Sequence, residues 1–337
     1  MPLARVFHHW ERRLASADNN RVVRPFEWGV EWIDNIAADD SPVVDRLRAW
    51  ADSAVERSDE FYRLAPCDTY ELSGDRLTFP SAIVTPHSVN NTVHARCFPS
   101  TSFKGRRRAV LVLPQWNAGA DGHVGLCQLL NKFDLTALRL SLPYHDARKP
   151  ADLERADYIV SPNVGRTAQV CRQAVLDARR AIAWLASRGY ESIGILGTSL
   201  GSCLAMLTAA HEPLVRAAAL NHISPYFADV VWEGLSTAHV RAGLDGHITL
   251  DDLRRIWMPI SPYPFLERVR GRRVLLVYAR YDLTFPVALS KLLVNEFRRR
   301  AVDHEVAVLP CGHYSTGVTP FKWMDGLTLS RFLNRNL

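Results

Sequence analysis

The chain has no run approaching the roughly 18 consecutive apolar residues that a bilayer-crossing helix requires. Its first thirty residues carry His8, His9, Trp10, Glu11, Arg12 and Arg13 where a secretory leader would need an apolar core. Its six cysteines stand singly, without a C-x-x-C pair, so zinc knuckles and dithiol redox centres are not expected. Isolated, buried thiols fit a reducing compartment, and the cytoplasm is the expected location. Histidines are not spaced as ligands on any one element, so neither a metal nor another cofactor is expected. Internal repeats and low-complexity tracts are also lacking. A surplus of acidic charge is absent too: 41 Lys and Arg outweigh 35 Asp and Glu, for a net +6. The dense basic runs at 104–108 and 298–300 have no interleaved aromatics, so they read as solvated surface, and no nucleic-acid partner is expected.

What remains is a folding-competent composition, with 47% hydrophobic and 23% charged residues over 337 positions. That length suits one large α/β domain with insertions or two small domains. Residues 1 to about 70 read as helical and irregular; Val44, Leu47, Ala51 and Val55 mark an amphipathic helix. From about 75 the period changes, with extended segments at 76–84 and 92–98 joined by a turn-rich connection. Strands and helices then alternate. Apolar strands are expected at 109–113, 135–142, 192–196, 217–221, 274–278 and 304–309, with helices between them. This order predicts an α/β fold: a mostly parallel sheet with helices on both faces and right-handed crossovers. In such sheets functional groups gather at the carboxyl ends of strands.

One strand end carries Gly197-Thr198-Ser199-Leu200-Gly201, directly after Ile193–Leu196 and before a small-residue helix. A serine at a strand-to-helix junction needs a very tight turn, and glycines two residues to either side remove Cβ atoms that would collide. Its hydroxyl needs a base, and the base needs an anion. Later strand ends supply both types. Asp282 follows the strand at 274–278, and His313 follows the strand at 304–309. Alone, Asp282 also fits a helix cap and His313 a surface loop; together, Ser199…Asp282…His313 occur in the expected order. Asp229 is a reserve acid. Expected oxyanion donors are the N–H of Leu200 and that of Trp116, or of Gln115, in the loop after the strand at 109–113.

On these motifs the chain resembles the α/β-hydrolase superfamily over about residues 75–337. It looks closest to the dienelactone-hydrolase and prolyl-oligopeptidase-like branch with its many bacterial serine esterases. The resemblance implies Ser199 as nucleophile, His313 as base and Asp282 as its orienting anion. Pro114-Gln115 departs from the His-Gly that the family often has there. The expected organisation is a helical extension over 1–74 and a catalytic domain over 75–337. The resemblance places a lid-like insertion at 225–270, where aromatics such as Phe227, Trp232, Trp257 and Phe265 would form an apolar roof; a plain packed helical excursion is the alternative explanation of them. Tyr144, His145, His222 and Trp232 are candidates for the substrate pocket; for the two histidines a structural role is the alternative. The expected reaction is hydrolysis of a small-molecule carboxylic ester through an acyl-enzyme. Alternatives are amide, peptide or thioester cleavage, a lipase at a membrane surface, and a catalytically silent scaffold.

Overall fold

Side-chain alternation makes the central strands two-faced. In the strand Arg108–Leu113, Ala109, Leu111 and Leu113 enter one hydrophobic cluster, whereas Val110 and Val112 enter the other. All five are fully buried, so neither face of the sheet meets water here. The computed structural model describes residues 2–34, 36, 40–101 and 105–337. Lys104, the start of the first basic run, lies outside them.

Among the described residues nine strands form one sheet: β1 (Glu71–Ser73), β2 (Arg76–Pro80), β3 (Thr92–Phe98), β4 (Arg108–Leu113), β5 (Thr136–Leu140), β6 (Ser192–Thr198), β7 (Val215–Asn221), β8 (Arg273–Ala279) and β9 (Glu305–Leu309). Their order is β1-β2-β3-β5-β4-β6-β7-β8-β9. The first three strands pair antiparallel, and β3 meets β5 antiparallel. From β5 to β9 every pairing is parallel. Helices are α1 (Pro2–Ala15), α2 (Val43–Glu56), α3 (Ser58–Phe61), α4 (Val124–Asn131), α5 (Val164–Ser187), α6 (Leu200–His211), α7 (Phe227–Glu233), α8 (Ala238–Leu244), α9 (Leu250–Ile256), α10 (Val287–Arg299) and α11 (Phe321–Asn336). Buried residues of α5, α6 and α10 pack on one sheet face, and those of α4 and α11 on the other. Among the described residues no helix is long and apolar enough to cross a membrane.

The expected α/β architecture is present, with two differences. The sheet begins at Glu71, so position 74 falls in the turn of the β1–β2 hairpin rather than at a boundary. Every residue of β1 is exposed, and an edge strand without a buried face carries no alternation to read. Part of the first 70 residues also joins the main core. Leu47 and Tyr62 are fully buried in the cluster that contains Leu111 and Leu204. The Tyr62 hydroxyl donates to the Pro259 carbonyl at 2.8 Å, fastening this segment to the 225–270 excursion.

That excursion is three short helices and 3-10 turns, much of it core. Ile256 and Trp257 are fully buried and Phe265 nearly so, and the Trp257 indole donates to the Val164 carbonyl at 2.9 Å. An apolar roof over 225–270 is therefore mostly a wall of the interior.

Before α5, Arg148 donates to Asp177 at 2.9 Å, and both side chains are fully buried. Asp177 also accepts from Ser81 Oγ and the Ala82 N–H, while Arg148 donates to the carbonyls of Asn90 and Ser141. The pair thus ties the antiparallel edge to α5. Removing one partner leaves an uncompensated buried charge. Asp177→Asn is expected to lower stability by about 3–5 kcal/mol, read from the denaturant midpoint at unchanged slope.

Candidate active site

At the end of β6 the chain turns into α6 at Ser199, with φ 56° and ψ −120°. Such backbone is costly for a residue with a Cβ and persists only where the surroundings enforce it. The enforcement comes from close approach. A Cβ on Gly201 would lie 2.5 Å from the Pro114 carbonyl oxygen, and one on Gly197 2.7 Å from the Ala205 Cβ. α6 can therefore run tight against the end of β4. The Ser199 N–H donates to the Asn221 carbonyl at 2.8 Å, and Ser202 Oγ donates to the carbonyls of Ser199 (2.6 Å) and His222 (2.8 Å).

The loops after β7, β8 and β9 converge on one carboxylate. Asp282 Oδ1 accepts the N–H groups of Thr284 and Phe285 at 2.8 and 2.7 Å. Its Oδ2 accepts His313 Nδ1–H at 3.0 Å and His222 Nδ1–H at 2.9 Å. Burial alone would raise this carboxyl's pKa, but His313 and His222 reverse that and hold it well below the usual carboxylate range. For His313, burial works to lower the pKa; the Asp282 charge and hydrogen bond outweigh it, Glu11 adds to them, and the net value is raised. The Phe285 ring stacks on the imidazole at 5.4 Å, with planes 2° apart.

Ser199 and His313 line the same cavity of about 650 Å³, a size suited to a small molecule. Among the described residues no hydrogen bond joins them, a common situation before substrate tightens a site. Leu126, Leu129, Val160, Phe227, Val230 and Phe285 supply apolar wall. Asn117, His123, Ser199 and His222, all with positive φ, line it too, so strained backbone is concentrated here.

In the loop after β4, Gln115 and Trp116 also line the cavity. The Asn117 N–H is taken by His145 Nε2 at 2.9 Å, whereas among the described residues those of Gln115 and Trp116 have no protein acceptor. Leu200 opens α6, where first-turn N–H groups lack intrahelical partners. Gln115, Trp116 and Leu200 thus all line the cavity, and among the described residues their N–H groups have no protein acceptor.

His222 reaches the cavity as expected and is in addition the second donor to Asp282. Tyr144, His145 and Trp232 do not line it. Tyr144 is fully buried against His87 and Tyr158. His145 donates from Nδ1 to the Pro143 carbonyl at 2.9 Å and accepts from Asn117, so it braces the loop from behind; burial pushes its pKa down to about 4 and keeps it neutral. Trp232 lies under the Arg241 guanidinium, 5.1 Å away. The reserve acid Asp229 is held by Arg254 through two bonds of 2.9 Å. Of the roof aromatics named for 225–270, only Phe227 borders the cavity.

Sequence reading missed His123, Glu11 and Asp325. His123 meets Thr198 Oγ1 at 3.0 Å, and burial lowers its pKa to about 4. The Asp325 carboxyl, raised to about 6 by burial, accepts from Asn221 Nδ2 at 2.8 Å. None lies in a motif, and the strand-end rule points to none of them. Histidines far apart in sequence do meet: among the described residues, His222, Asp282 and His313 bring three metal-ligand-type atoms within 4.8 Å, and both imidazoles hydrogen-bond the Asp282 carboxylate.

No protein-family model matches the chain, and no curated protein matches it by sequence. Solved structures do. Acetyl xylan esterase 1 from Thermoanaerobacterium sp. JW/SL YS485 aligns with TM-score 0.64 at 15% identity, covering 88% of this chain and 99% of that one. The acetyl xylan esterase from Paenibacillus sp. R4 aligns with TM-score 0.64 at 14% identity, over 88% and 100%. Pyrococcus horikoshii acylaminoacyl peptidase aligns with TM-score 0.62 at 13% identity, over 80% of this chain and 42% of its own. At such identities the likeness is one of fold, and the fold is that of the α/β hydrolases.

The Asp282 pairing has a direct check. Asp282→Asn removes the anion that raises His313, so the imidazole's NMR titration is expected to move to lower pH by about one unit or more. An unmoved titration would show that the pair is not made in solution.

Proposed function

We propose that the chain is a serine hydrolase cleaving carboxylic esters, with Ser199 as nucleophile, His313 as general base and Asp282 as the anion that orients it. The observation that carries this reading is the His313 Nδ1–Asp282 Oδ2 bond of 3.0 Å, in a cavity also lined by the strained Ser199. With Nδ1–H committed to Asp282, the neutral imidazole offers Nε2 as a proton acceptor.

In the first half-reaction Ser199 Oγ bonds to the ester carbonyl carbon while its proton passes to His313 Nε2. The carbonyl π electrons move to oxygen, and the resulting oxyanion faces the N–H groups of Leu200 and Trp116, with Gln115 the other loop donor. Collapse breaks the bond to the alcohol oxygen, which takes the proton from His313 and departs. Water then attacks the acyl carbon, giving a proton to His313, and that proton returns to Ser199 Oγ as the acid leaves. A lost oxyanion donor typically costs about 10²–10³ in turnover. Because the Trp116 donor is backbone, changing that side chain harms the reaction less than changing Ser199.

Two of the structural neighbours are named acetyl xylan esterases and a third an acylaminoacyl peptidase. They support hydrolysis of an acyl bond and leave its heteroatom open. The apolar wall of Leu126, Leu129, Val160 and Phe227 favours an ester with an apolar acyl group. A panel of p-nitrophenyl esters from acetate to palmitate, with a matched anilide and thioester, ranks these substrates; faster turnover of the anilide would displace the ester reading.

Ser199→Ala is expected to lower p-nitrophenyl acetate kcat by about 10⁴ or more with an unchanged circular dichroism spectrum. A fluorophosphonate should label wild type at Ser199 and leave the variant untouched. Retained turnover in the folded variant ends the proposal. Since His313 acts neutral and its pKa is raised, kcat/KM should fall on the acid side with an apparent pKa above the ordinary histidine value of about 6.5.

A further inference from the structure

The first helix reaches the histidine loop with a buried acid. Glu11, on α1, is fully buried, and both of its carboxylate oxygens are occupied by that loop. Oε2 accepts the Tyr314 N–H at 2.8 Å. Oε1 accepts the Ser315 N–H at 2.9 Å and the Ser315 hydroxyl at 2.7 Å. Ser315 Oγ in turn accepts the Gly312 N–H at 2.8 Å. The backbone on both sides of His313 is therefore tied to one carboxylate just over three hundred residues away in sequence. Gly312 itself belongs to this arrangement: a Cβ there would lie 2.6 Å from Glu11 Oε1. A side chain at position 312 and the carboxylate exclude one another.

α1 also braces the acid side. Phe7, one helical turn before Glu11, stacks on Tyr281 with ring centres 4.5 Å apart and planes 10° apart; Tyr281 directly precedes Asp282. Beyond the helix, Arg21 donates to the Tyr314 hydroxyl at 2.7 Å. The carboxylate thus holds the residues flanking the base, and the aromatic ring holds the residue next to its anion.

We propose that Glu11 is a positioning residue for His313: by fixing Gly312, Tyr314 and Ser315 it sets the imidazole against both Asp282 and Ser199, and its charge favours the imidazolium formed during turnover. The N-terminal segment would then be part of the catalytic machinery. This rests on the serine-hydrolase reading above. A misplacement of about 1 Å at a reacting group costs about 10² in rate, which sets the scale of the expected effect. Other titratable or charged groups around the imidazole are Asp282 and His222 on the sheet side and Tyr314 with Arg21 in front; Lys322 and Asp325 of α11 border the same cavity.

The test is Glu11→Gln in the full-length chain, which keeps the side chain's size and removes its charge and one acceptor. The expected result is a kcat lower by about 10- to 100-fold, with KM within about twofold, per active site titrated by a fluorophosphonate. The acid limb of kcat/KM, or the NMR titration of the His313 imidazole, should shift to lower pH by about half a unit or more, because an anion that favours the charged imidazole is gone. Unchanged kcat per titrated site together with an unmoved limb would overturn the proposal, since a helix that merely aids folding alters only the number of active molecules. Should Glu11→Gln fail to fold, Ser315→Ala removes the bridging hydroxyl with the charge in place and must lower kcat without shifting the limb; full kcat there overturns the proposal equally. Ser199→Ala is assayed beside them, so that a dead Ser199→Ala with a fully active Glu11→Gln condemns the positioning role alone.

Discussion

Four donors from three loops meet on the Asp282 carboxylate, and the arrangement of the site follows from that convergence. A buried carboxylate without partners would protonate instead of remaining charged. Two backbone N–H groups from its own loop hold Oδ1, and two imidazoles from the neighbouring strand ends hold Oδ2. The anion therefore sets where the loops after β7 and β9 come to rest. Its own position depends on the parallel register of β7, β8 and β9, which brings the three carboxyl ends to one rim.

That rim needs backing on every side. Behind the loop after β4, His145 is kept neutral and spends both ring nitrogens on backbone groups. Beneath Ser199, Ser202 ties α6 to the end of β7. Around the histidine loop stands α1, whose Glu11 and Phe7 touch the elements carrying His313 and Asp282. Each support comes from a different part of the chain. Described residues of 225–270 and of the first seventy positions thus pack into the same interior as the sheet. Their shared buried side chains, Tyr62 and Trp257 among them, belong to the same cluster as the sheet.

Much of this was legible in sequence. Unbroken apolar runs at 109–113 and 274–278 announce strands buried on both faces, and helices between them imply parallel pairing. Given that topology, strand ends are the places to look, and Ser199, Asp282 and His313 stand at three of them. Less legible was anything lacking a local period. β1 has three exposed residues and no alternation. Tyr144 follows the same strand-end logic as residues that do line the cavity, yet it turns into the core; Trp232, one of the aromatics of 225–270, lies beneath an arginine.

By itself the order of residues determined the kinds of elements, their succession and the chemical types at three strand ends, because hydrophobic period and glycine placement act over a few neighbouring positions. Only the folded chain decided that His222 shares Asp282 with His313, that His145 supports a loop instead of facing a ligand, and that Glu11 seats itself beside Gly312. Those outcomes depend on distances between segments remote along the backbone, and they are settled when packing and hydrogen-bond satisfaction are met for all the segments at once.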